Sequence, residues 1–491
     1  MKQPIFLTLI VAIITLFACG KEDNFLLDSD AELTFSVDTL RFDTVFTELG
    51  SATRTLKIFN PNDRPVNINE IRLVNGDASS FRLNVDGLPT NDARNIEVAA
   101  NDSVYVFAEV TVDPDNPLSI SPFVISEELM VKLNGVDRIV QLEAWGQNAN
   151  YIPDRFSQGS GAFLTCDLGE VAFNDPKPYV IYGALLVDSC TLNIPAGTQI
   201  YVHGGIVRQG ILGENYNDGY IVALPNGRLS IEGTADNPVV IQGDRLEEPF
   251  QEVSGQWGGI WLTPGSRGHK IEHTVIKNAI FGMIVDSSAT LIIENSQILN
   301  AAGLGMIGIH SRIKAENCLF AGNGGNAVEF RYGGSYTFDY CTLASYGVDN
   351  AALRMGNVRC LDQLCTRGRF NDLRARFKNS IIFGSRSDEI DLFRAEQAAF
   401  DYEFENCIVR VDDLVDEDDT PDFFDHCVPC QPSQGVSDVA LFKDPSEGDF
   451  TLDSLSIAEG FAAPIFNVTI DLLGNDRDAE MPDAGCFEKI E

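Results

Sequence analysis

The sequence predicts an all-β protein in which an N-terminal β-sandwich is followed by a long coil of stacked strands. Three observations lead to this prediction. A short residue pattern recurs about every 22 residues in the second half, strand-like segments of alternating polarity fill the first part, and no ten-residue stretch after about residue 148 has a helical period. The chain has 491 residues, 44% of them hydrophobic, so a large core is available.

The recurring pattern reads apolar, polar, Asn/Tyr/His, small, any residue, apolar. Its first copy spans residues 271–276, and the later copies centre on Asn295-Ser296, Asn317-Cys318, Tyr340-Cys341, Asn379-Ser380 and Asn406-Cys407. Successive copies are 22, 22, 23, 39 and 27 residues apart. A step near 22 is too short for a domain and too long for a hairpin, but it suits one turn of a coil that stacks on its neighbour.

Stacking places equivalent residues of successive turns above one another, about 4.8 Å apart. One column then consists of small side chains, which we expect to point inward because a narrow coil has little room there. Its members are Thr274, Ser296, Cys318, Cys341, Ser380 and Cys407. Cys318 and Cys341 are one turn apart in this column, and either a stack of free thiols or a disulfide satisfies the pattern.

Several segments resemble the right-handed parallel β-helix lipoproteins of bacteria over roughly residues 150–491. The resemblance rests on Pro195-Ala196-Gly197-Thr198, on residues 232–238 and on residues 255–261. It assigns residues 149–440 to a right-handed parallel β-helix, a solenoid. It also implies an asparagine ladder, whose members are Asn278, Asn300 and Asn323 at steps of 22 and 23.

The last segment, residues 441–491, resembles the terminal segment of many bacterial surface β-helix proteins. Its closing motif is Asp483-Ala484-Gly485-Cys486-Phe487-Glu488. We expect it to cap the open end of the coil, because an uncovered sheet edge invites polymerisation.

Residues 31–148 contain many short segments with a period of two, separated by Asn-Pro and Asn-Gly breaks, which is typical of a β-sandwich. Residues 57–62 and 65–68 resemble the immunoglobulin-like modules of the cilia- and spindle-associated superfamily. No Cys lies in this part of the chain, so it lacks the inter-sheet disulfide of antibody domains. The resemblance implies a spacer or scaffold role.

Residues 1–19 have the features of a secretory signal, with Lys2 followed by an apolar run over residues 5–17. The ending Leu16-Phe17-Ala18-Cys19 resembles the lipobox of bacterial lipoproteins, in which the cysteine is lipidated; an ordinary signal with a chance Cys19 is the alternative. Residues 20–30 form a polar tether, and Lys21-Glu22-Asp23 resembles a surface-export signal. The expected location is the outer membrane, lipid-anchored and facing the cell exterior, with the membrane as one partner.

The chain carries 72 Asp and Glu against 35 Lys and Arg, a net charge of −37, which argues against nucleic acid as a partner. No cofactor is expected, although calcium is possible, and no metal ligand set is assigned, because a zinc CxxC needs a second ligand pair. The cysteines Cys360, Cys365, Cys427 and Cys430 are the candidate disulfide partners, since they lie close in sequence in an exported chain.

The catalytic residues stay unknown. A glycoside hydrolase of the polygalacturonase type needs two or three clustered aspartates, and the sequence shows no such cluster in the expected order. A polysaccharide lyase needs a basic side chain as its proton acceptor. The basic candidates on the coils are Lys270, Lys277, Arg312, Lys314, Arg331 and Arg354. Trp257 and Trp261 are the candidate ligand-binding residues, because indole rings stack on sugars; the alternation with Ile260 indicates that one of the two is core.

Two functions fit the sequence. The first is a non-catalytic binding or structural protein that engages a glycan or a surface protein; the second is a carbohydrate-active enzyme, a polysaccharide lyase more than a glycoside hydrolase. The two long steps of the repeat place loops near residues 350–370 and 387–389, and such excursions often form the binding face of a solenoid.

Overall fold

A computed structural model describes residues 25–46, 53–111, 123–147, 149–153, 162–166, 169–204, 207–209, 215–217, 219–246, 250–362, 367–412, 414, 423–428, 430–432 and 441–490. The chain divides into two compact units, residues 1–148 and 149–491. Cys19, the signal segment and Cys365 lie outside the described residues. No helix in the described part of the chain is long and apolar enough to cross a bilayer.

The first unit is a β-sandwich of two five-stranded sheets. The first sheet contains, in spatial order, β1 (Thr34–Phe35), β3 (Arg54–Phe59), β8 (Ser103–Val110), β5 (Phe81–Val85) and β6 (Leu88–Pro89). The second sheet contains β2 (Thr39–Phe46), β10 (Val136–Gln147), β9 (Phe123–Leu133), β4 (Val66–Leu73) and β7 (Asp92–Val98). A short 3₁₀ helix, Gly76–Ala78, follows β4.

Alternation of side chains builds the sandwich core. In β4 the residues Val66, Ile68 and Ile71 are fully buried, and they meet Leu56 and Ile58 of β3 in one cluster. All neighbouring strands are antiparallel except β2 and β10, which pair in parallel. The sandwich class of this unit agrees with the sequence analysis; its immunoglobulin-like character stays a prediction.

The second unit is a coil of three parallel sheets, and each turn contributes one strand to each sheet. The third sheet contains β11 (Asn150–Ile152), β14 (Tyr179–Tyr182), β17 (Gln199–His203), β22 (Val239–Gly243), β25 (Thr274–Lys277), β28 (Gln297–Leu299), β31 (Leu319–Ala321), β34 (Thr342–Ser345), β39 (Ile381–Gly384), β42 (Cys407–Val409) and β43 (Cys430–Pro432).

The fourth sheet contains β12 (Ala162–Leu164), β15 (Ala184–Val187), β20 (Tyr220–Ala223), β23 (Gly259–Leu262), β26 (Met283–Val285), β29 (Met306–Ile309), β32 (Val328–Arg331), β35 (Leu353–Gly356) and β40 (Ile390–Phe393). The fifth sheet contains β13 (Glu170–Ala172), β16 (Thr191–Pro195), β21 (Arg228–Glu232), β24 (His269–Glu272), β27 (Thr290–Glu294), β30 (Arg312–Glu316), β33 (Gly334–Asp339), β38 (Leu373–Lys378) and β41 (Phe400–Glu405).

Three small hairpins accompany the coil: β18 (Val207–Gln209) with β19 (Asn215–Asn217), β36 (Val358–Cys360) with β37 (Gly368–Phe370), and β44 (Phe442–Asp444) with β45 (Asp449–Leu452). A second 3₁₀ helix spans Phe423–His426. The register of the third sheet follows the repeat, since Ile276 pairs with Ile298 and Ile298 with Phe320. The predicted stacking of coils is therefore confirmed.

A single residue turns the chain from the fifth sheet into the third sheet in six successive coils. This corner column consists of His273, Asn295, Asn317, Tyr340, Asn379 and Asn406, all with φ between 42° and 54°. Left-handed backbone is costly for most side chains but mild for asparagine, which explains the Asn-rich position of the repeat. The Asn317 amide also donates to the Asn295 Oδ1 atom at 3.0 Å.

Each member of the small-residue column directly follows one corner residue in the sequence, and every member is buried. Each of its hydroxyl or thiol groups donates to the carbonyl two residues earlier, at 2.7 to 3.4 Å; the pairs are Thr274 with Glu272, Ser296 with Glu294, Cys318 with Glu316, Cys341 with Asp339, Ser380 with Lys378 and Cys407 with Glu405. Cys318 and Cys341 are free thiols, so they stack without a disulfide bond between them.

The predicted asparagine ladder is wrong in two respects. Asn278 and Asn300 occupy equivalent left-handed positions, but the next equivalent residue is Gly322 rather than Asn323. The side-chain amides of Asn278 and Asn300 also bond sideways instead of along the axis, because Asn278 donates to the Gln251 carbonyl at 2.7 Å and Asn300 donates to the Glu252 carboxylate. A loop beside the coil, invisible in the repeat spacing, supplies these acceptors.

The C-terminal segment lies against the side of the coil, which corrects the expectation that it caps the open end. The outer side chains of the third sheet are apolar here, and Phe442, Phe450 and Phe487 pack with Ile381 and Ile408 in a separate buried cluster. This apolar outer face needs a cover for the same reason that the core does. The segment supplies that cover along several turns.

Among the described residues, Cys427 bonds to Cys430 and Cys166 bonds to Cys190, each pair with 5.3 Å between Cα atoms. The first pair was predicted from the sequence; the second, whose members are 24 residues apart, was not. Cys360 is also disulfide-bonded.

Candidate functional site

The outer face of the fourth sheet carries a continuous strip of apolar side chains. Successive strands bring Leu186, Val222, Trp261, Ile284 and Ile307 into register, one above the other. Their sequence neighbours point inward to the core, so these five side chains face outward. We call this column the outer strip.

The side chains of the outer strip differ in how much of their surface is exposed to solvent. Val222 is 8% exposed and Ile307 is 4% exposed although both face away from the core. Trp261, between them, is 37% exposed, and its indole Nε1 donates to the Asp286 carboxylate at 3.3 Å. The indole is thus held by a polar anchor while part of its apolar ring faces solvent, an arrangement suited to stacking on a sugar ring.

Trp257 does not belong to this site, which corrects its assignment as a ligand-binding candidate. Its side chain is completely buried, and its indole Nε1 donates to the Lys277 carbonyl at 2.9 Å. The Gly258-Gly259 step turns the chain between the two tryptophans, and Gly259 has a φ of 124°. One indole consequently enters the core while the other faces outward, as the alternation with Ile260 indicated.

The same column continues into charged residues below the apolar strip. Glu329, Arg354 and Asp391 follow Ile307 in register. The Arg331 guanidinium contacts the Glu329 carboxylate at 2.7 Å, and this hydrogen bond raises the pKa of Arg331. Arg354 approaches the same carboxylate at 3.9 Å. The outer face of the fourth sheet is therefore apolar from Leu186 to Ile307 and charged from Glu329 to Asp391.

Both long excursions of the repeat flank this face. Residues 385–389 directly precede β40, and the β36–β37 hairpin directly follows β35. The repeat spacing predicted loops in these regions but not the sheet that they border. Both adjoin strands of the fourth sheet, β35 and β40.

A separate cleft of about 760 Å³ lies where the third sheet turns toward the fourth. Leu299 and Ala321 form its floor, and the turn 445–448 of the C-terminal hairpin forms one wall. The Tyr346 ring lies 6.1 Å from the Phe450 ring at the same wall. Two carboxylates, those of Glu252 and Glu447, line the cleft together with the polar groups of Asn300, Ser385 and Ser446.

The Glu252 carboxylate is held at the cleft by two donors. The Lys277 ammonium lies 3.2 Å from one oxygen, and the Asn300 amide donates to the other. These two contacts orient the carboxylate in a defined direction. Glu447 and Glu252 are far apart in the chain, so no local motif in the sequence indicated this site.

The basic candidates for a lyase are mostly neutralised. Lys270 contacts Glu272 at 2.6 Å, and this hydrogen bond raises the pKa of Lys270. Lys314 lies 3.0 Å from Glu316. Burial lowers the pKa of Lys314, but the hydrogen bond with Glu316 and the charges of Glu316, Glu294 and Asp339 together outweigh burial, and the net shift is upward. A lysine with a raised pKa is a poor proton acceptor at neutral pH.

Carboxylates form a column on the outer face of the fifth sheet, where Glu272, Glu294, Glu316 and Asp339 are in register. Burial and the neighbouring Glu316 raise the pKa of Asp339 to about 6. The described residues contain no group of three or more His, Cys, Asp or Glu side chains placed to hold a metal ion.

A signal for the outer strip exists in the sequence. Trp261, Ile284 and Ile307 are 23 and 23 residues apart, close to the period of the main repeat. A second apolar column at an outer position is the sequence feature that distinguishes this strip from ordinary solvent-facing strand residues.

Comparison with known proteins supports the fold. Residues 165–282 match the family described as pectate-lyase-like β-helix domain, and residues 233–358 match the right-handed β-helix region. This part of the chain is therefore a right-handed β-helix. No curated protein matches the chain.

Similar solved structures are distant. The ASH/PapD-like domain 7 of human CEP192 is 9% identical over 24% of this chain and 88% of that domain, with a TM-score of 0.18. A protein of unknown function from Porphyromonas gingivalis W83 is 14% identical over 29% of this chain and 57% of its own, with a TM-score of 0.18. The catalytic unit of a GH87 α-1,3-glucanase from Streptomyces thermodiastaticus is 11% identical over 73% of this chain and 78% of its own, with a TM-score of 0.20.

Proposed function

We propose that this chain is a non-catalytic glycan-binding protein, lipid-anchored at Cys19 in the outer membrane with its β-helix facing the cell exterior. The observation that carries the binding function is the exposed Trp261 indole within the outer strip of the fourth sheet. An aromatic ring on a flat sheet, anchored by Asp286 and continued by aliphatic side chains, supports recognition of a sugar chain that runs along the coil axis.

The binding experiment uses the mature protein and a panel of soluble polysaccharides, with affinity measured by calorimetry. Trp261→Ala is expected to weaken binding at least tenfold, a loss typical of one stacked ring. Ile139→Ala, which truncates an exposed apolar side chain of the sandwich, is the matched control and is expected to leave binding unchanged. Equal affinity of the Trp261→Ala variant and the parent protein for every bound polymer would remove the outer strip as the site.

The anchor is tested separately in cells that make the full chain. Cys19→Ser is expected to abolish incorporation of labelled fatty acid and to release the protein from membranes, because durable anchoring depends on the acyl chains. Protease added to intact cells is expected to degrade the parent protein. Protection of the protein in intact cells would place it on the inner leaflet.

A glycoside hydrolase is the second candidate, and the carboxylate-lined cleft is the observation that favours it. Glu252 and Glu447 would act as the pair of carboxylates that hydrolysis requires. New reducing ends released from any polymer by the parent protein, and lost in both Glu252→Gln and Glu447→Gln, would establish this activity in place of simple binding. Asp401→Asn, on the distant fifth sheet, is the control for a change of charge.

A further inference from the structure

The stretch from Arg331 to Arg394 has a charge balance opposite to that of the whole chain. It holds ten Lys and Arg against seven Asp and Glu, whereas the full sequence holds 35 against 72. This stretch includes Arg354 and Asp391 of the charged column on the fourth sheet and the β36–β37 hairpin beside it. This stretch therefore has a net charge of +3 (10 − 7) within a strongly acidic protein.

Most basic side chains of the stretch have a carboxylate partner. Arg331 and Arg354 share Glu329, and the fifth-sheet arginines Arg374 and Arg376 lie 3.8 and 3.6 Å from Asp401 and Glu403. Three exposed arginines differ. Within the part of the chain that the structure describes, Arg359, Arg369 and Arg394 have no carboxylate at ion-pairing distance. We call these three residues the arginine corner.

Strand pairing brings two members of the corner together. Arg359 of β36 and Arg369 of β37 are direct cross-strand partners, so their side chains leave the same face of the hairpin, about 5 Å apart at Cβ. Like charges in such a pair destabilise a hairpin. The Arg359 guanidinium is held 5.5 Å over the Tyr332 ring, and the neighbouring Cys360 is disulfide-bonded.

The third member is fixed near the base of the same hairpin. Asn357, directly before β36, donates to the Ala395 carbonyl at 2.9 Å and accepts from the Ala395 amide at 2.8 Å. Arg394 is the residue before Ala395, and it is exposed. Two chain segments that are about 35 residues apart in sequence therefore present guanidinium groups at one corner.

We propose that the arginine corner binds sulfate esters of the glycan, so that the ligand is a sulfated polysaccharide; this inference rests on the proposed glycan-binding function. A sulfate ester keeps three charged-oxygen acceptors and is ionised at every physiological pH. Several guanidinium forks can share such a group, whereas a sugar carboxylate offers two oxygens and pairs best with one arginine.

The spacing along the coil fits this assignment. Four strand steps, about 19 Å at the usual strand spacing, separate Trp261 on β23 from β35, the strand that leads into the β36–β37 hairpin of the arginine corner. An oligosaccharide of about four units spans that length. Its uncharged rings lie along the outer strip, and its sulfate groups reach the corner.

The test compares chondroitin sulfate with chemically desulfated chondroitin, because both polymers keep the same backbone and the same carboxylates. The parent protein is expected to bind the sulfated polymer at least tenfold more tightly. Arg359→Gln with Arg369→Gln is expected to abolish this preference and to flatten the salt dependence of binding. The control, Arg374→Gln with Arg376→Gln, makes the same change of net charge at ion-paired positions and is expected to keep the preference.

Each other outcome overturns a defined claim. If the parent protein binds the sulfated and the desulfated polymer with equal affinity, the protein does not recognise sulfate. If both double variants lose the same amount of affinity, the effect comes from long-range charge and not from the arginine corner. Binding of desulfated or neutral polymers that depends on Trp261 but not on the arginines leaves the proposed function standing and sinks this inference alone. Absence of binding to every polymer removes both. Circular dichroism of each variant verifies that the fold is kept.

Discussion

Arg477 stacks on Tyr340, with its guanidinium carbon 4.0 Å from the centre of the phenol ring. The same guanidinium donates to the Asn317 Oδ1 atom at 2.8 Å and contacts the Glu488 carboxylate at 3.1 Å. Tyr340 and Asn317 belong to the corner column, whereas Arg477 and Glu488 belong to the C-terminal segment. A buried cation therefore joins the segment to the side of the β-helix.

Arg477→Met is expected to lower the free energy of unfolding of the β-helix unit by about 3–5 kcal/mol, because it leaves the Glu488 carboxylate buried without its partner. Urea denaturation followed by tryptophan fluorescence measures the loss. Lys489→Met removes an exposed ion pair with Glu459 in the same segment and is expected to cost less than about 1 kcal/mol. Equal midpoints for the two variants would contradict the role assigned to Arg477.

The corner column gives a second prediction, at Asn295 with its φ of 49°. Asn295→Val forces a β-branched residue into left-handed backbone and is expected to cost about 2 kcal/mol, whereas Asn295→Gly is expected to cost less than about 1 kcal/mol. Both changes remove the acceptor for the Asn317 amide, so their difference isolates the backbone effect. Thermal unfolding distinguishes them, and a valine variant as stable as the glycine variant would refute the strain argument.

The small-residue column gives a third prediction, at Ser380. Its hydroxyl accepts from the Cys341 amide at 3.1 Å and is completely buried. Ser380→Leu is expected to destabilise the unit by about 1–3 kcal/mol, because the narrow corner has no space for a larger side chain. Ser380→Cys, which copies the residue found at position 341, is expected to cost less. Urea denaturation measures both variants, and a midpoint for Ser380→Leu as high as that for Ser380→Cys would contradict the prediction.

Most of the β-helix was predictable because a single period controls it. Residues of similar size and polarity recur about every 22 positions, and this recurrence predicts both the stacked strands and the inward column of small side chains. The pairing of Ile276 with Ile298, and of Ile298 with Phe320, confirms the predicted register. The corner position was equally visible, since the pattern names Asn, Tyr or His there. The left-handed backbone at that position supplies the physical reason for the preference.

The remaining features depend on contacts that no period encodes. The Asn300 amide bonds to Glu252, which is 48 residues earlier in the chain, and Asn323 differs from Asn300 by one position in register. Trp257 and Trp261 look alike in sequence, and only the glycine turn between them decides which is buried. The docking of the C-terminal segment depends on the outer side chains of the third sheet, such as Phe383, which periodicity alone does not assign to a face.

The carboxylate column of the fifth sheet predicts an unusual dependence of stability on pH. Burial and the Glu316 carboxylate raise the pKa of Asp339 from an ordinary 3.8 to about 6, although Lys314 and Lys378 oppose the shift. Because the folded protein binds this proton more tightly than the unfolded chain does, ionised Asp339 destabilises the fold above pH 6. Stability is therefore gained as the pH falls from about 7 toward 4, and the gain is complete once the unfolded chain also takes up the proton below about pH 4.

Asp339→Asn removes this charge and is expected to stabilise the β-helix unit at pH 8 by about 1–2 kcal/mol, a value reduced from the full shift because the site is partly open to solvent. At pH 5 the difference is expected to be about half as large, because Asp339 is then mostly protonated in the fold but still mostly ionised in the unfolded chain. Asp401→Asn, on the same sheet at an exposed ion pair with Arg374, is the control and is expected to change the pH profile little. Urea denaturation at pH 5, 6, 7 and 8 measures the three profiles. A parallel profile for Asp339→Asn and the parent protein would mean that solvent screens the column and that Asp339 titrates like an ordinary surface carboxylate.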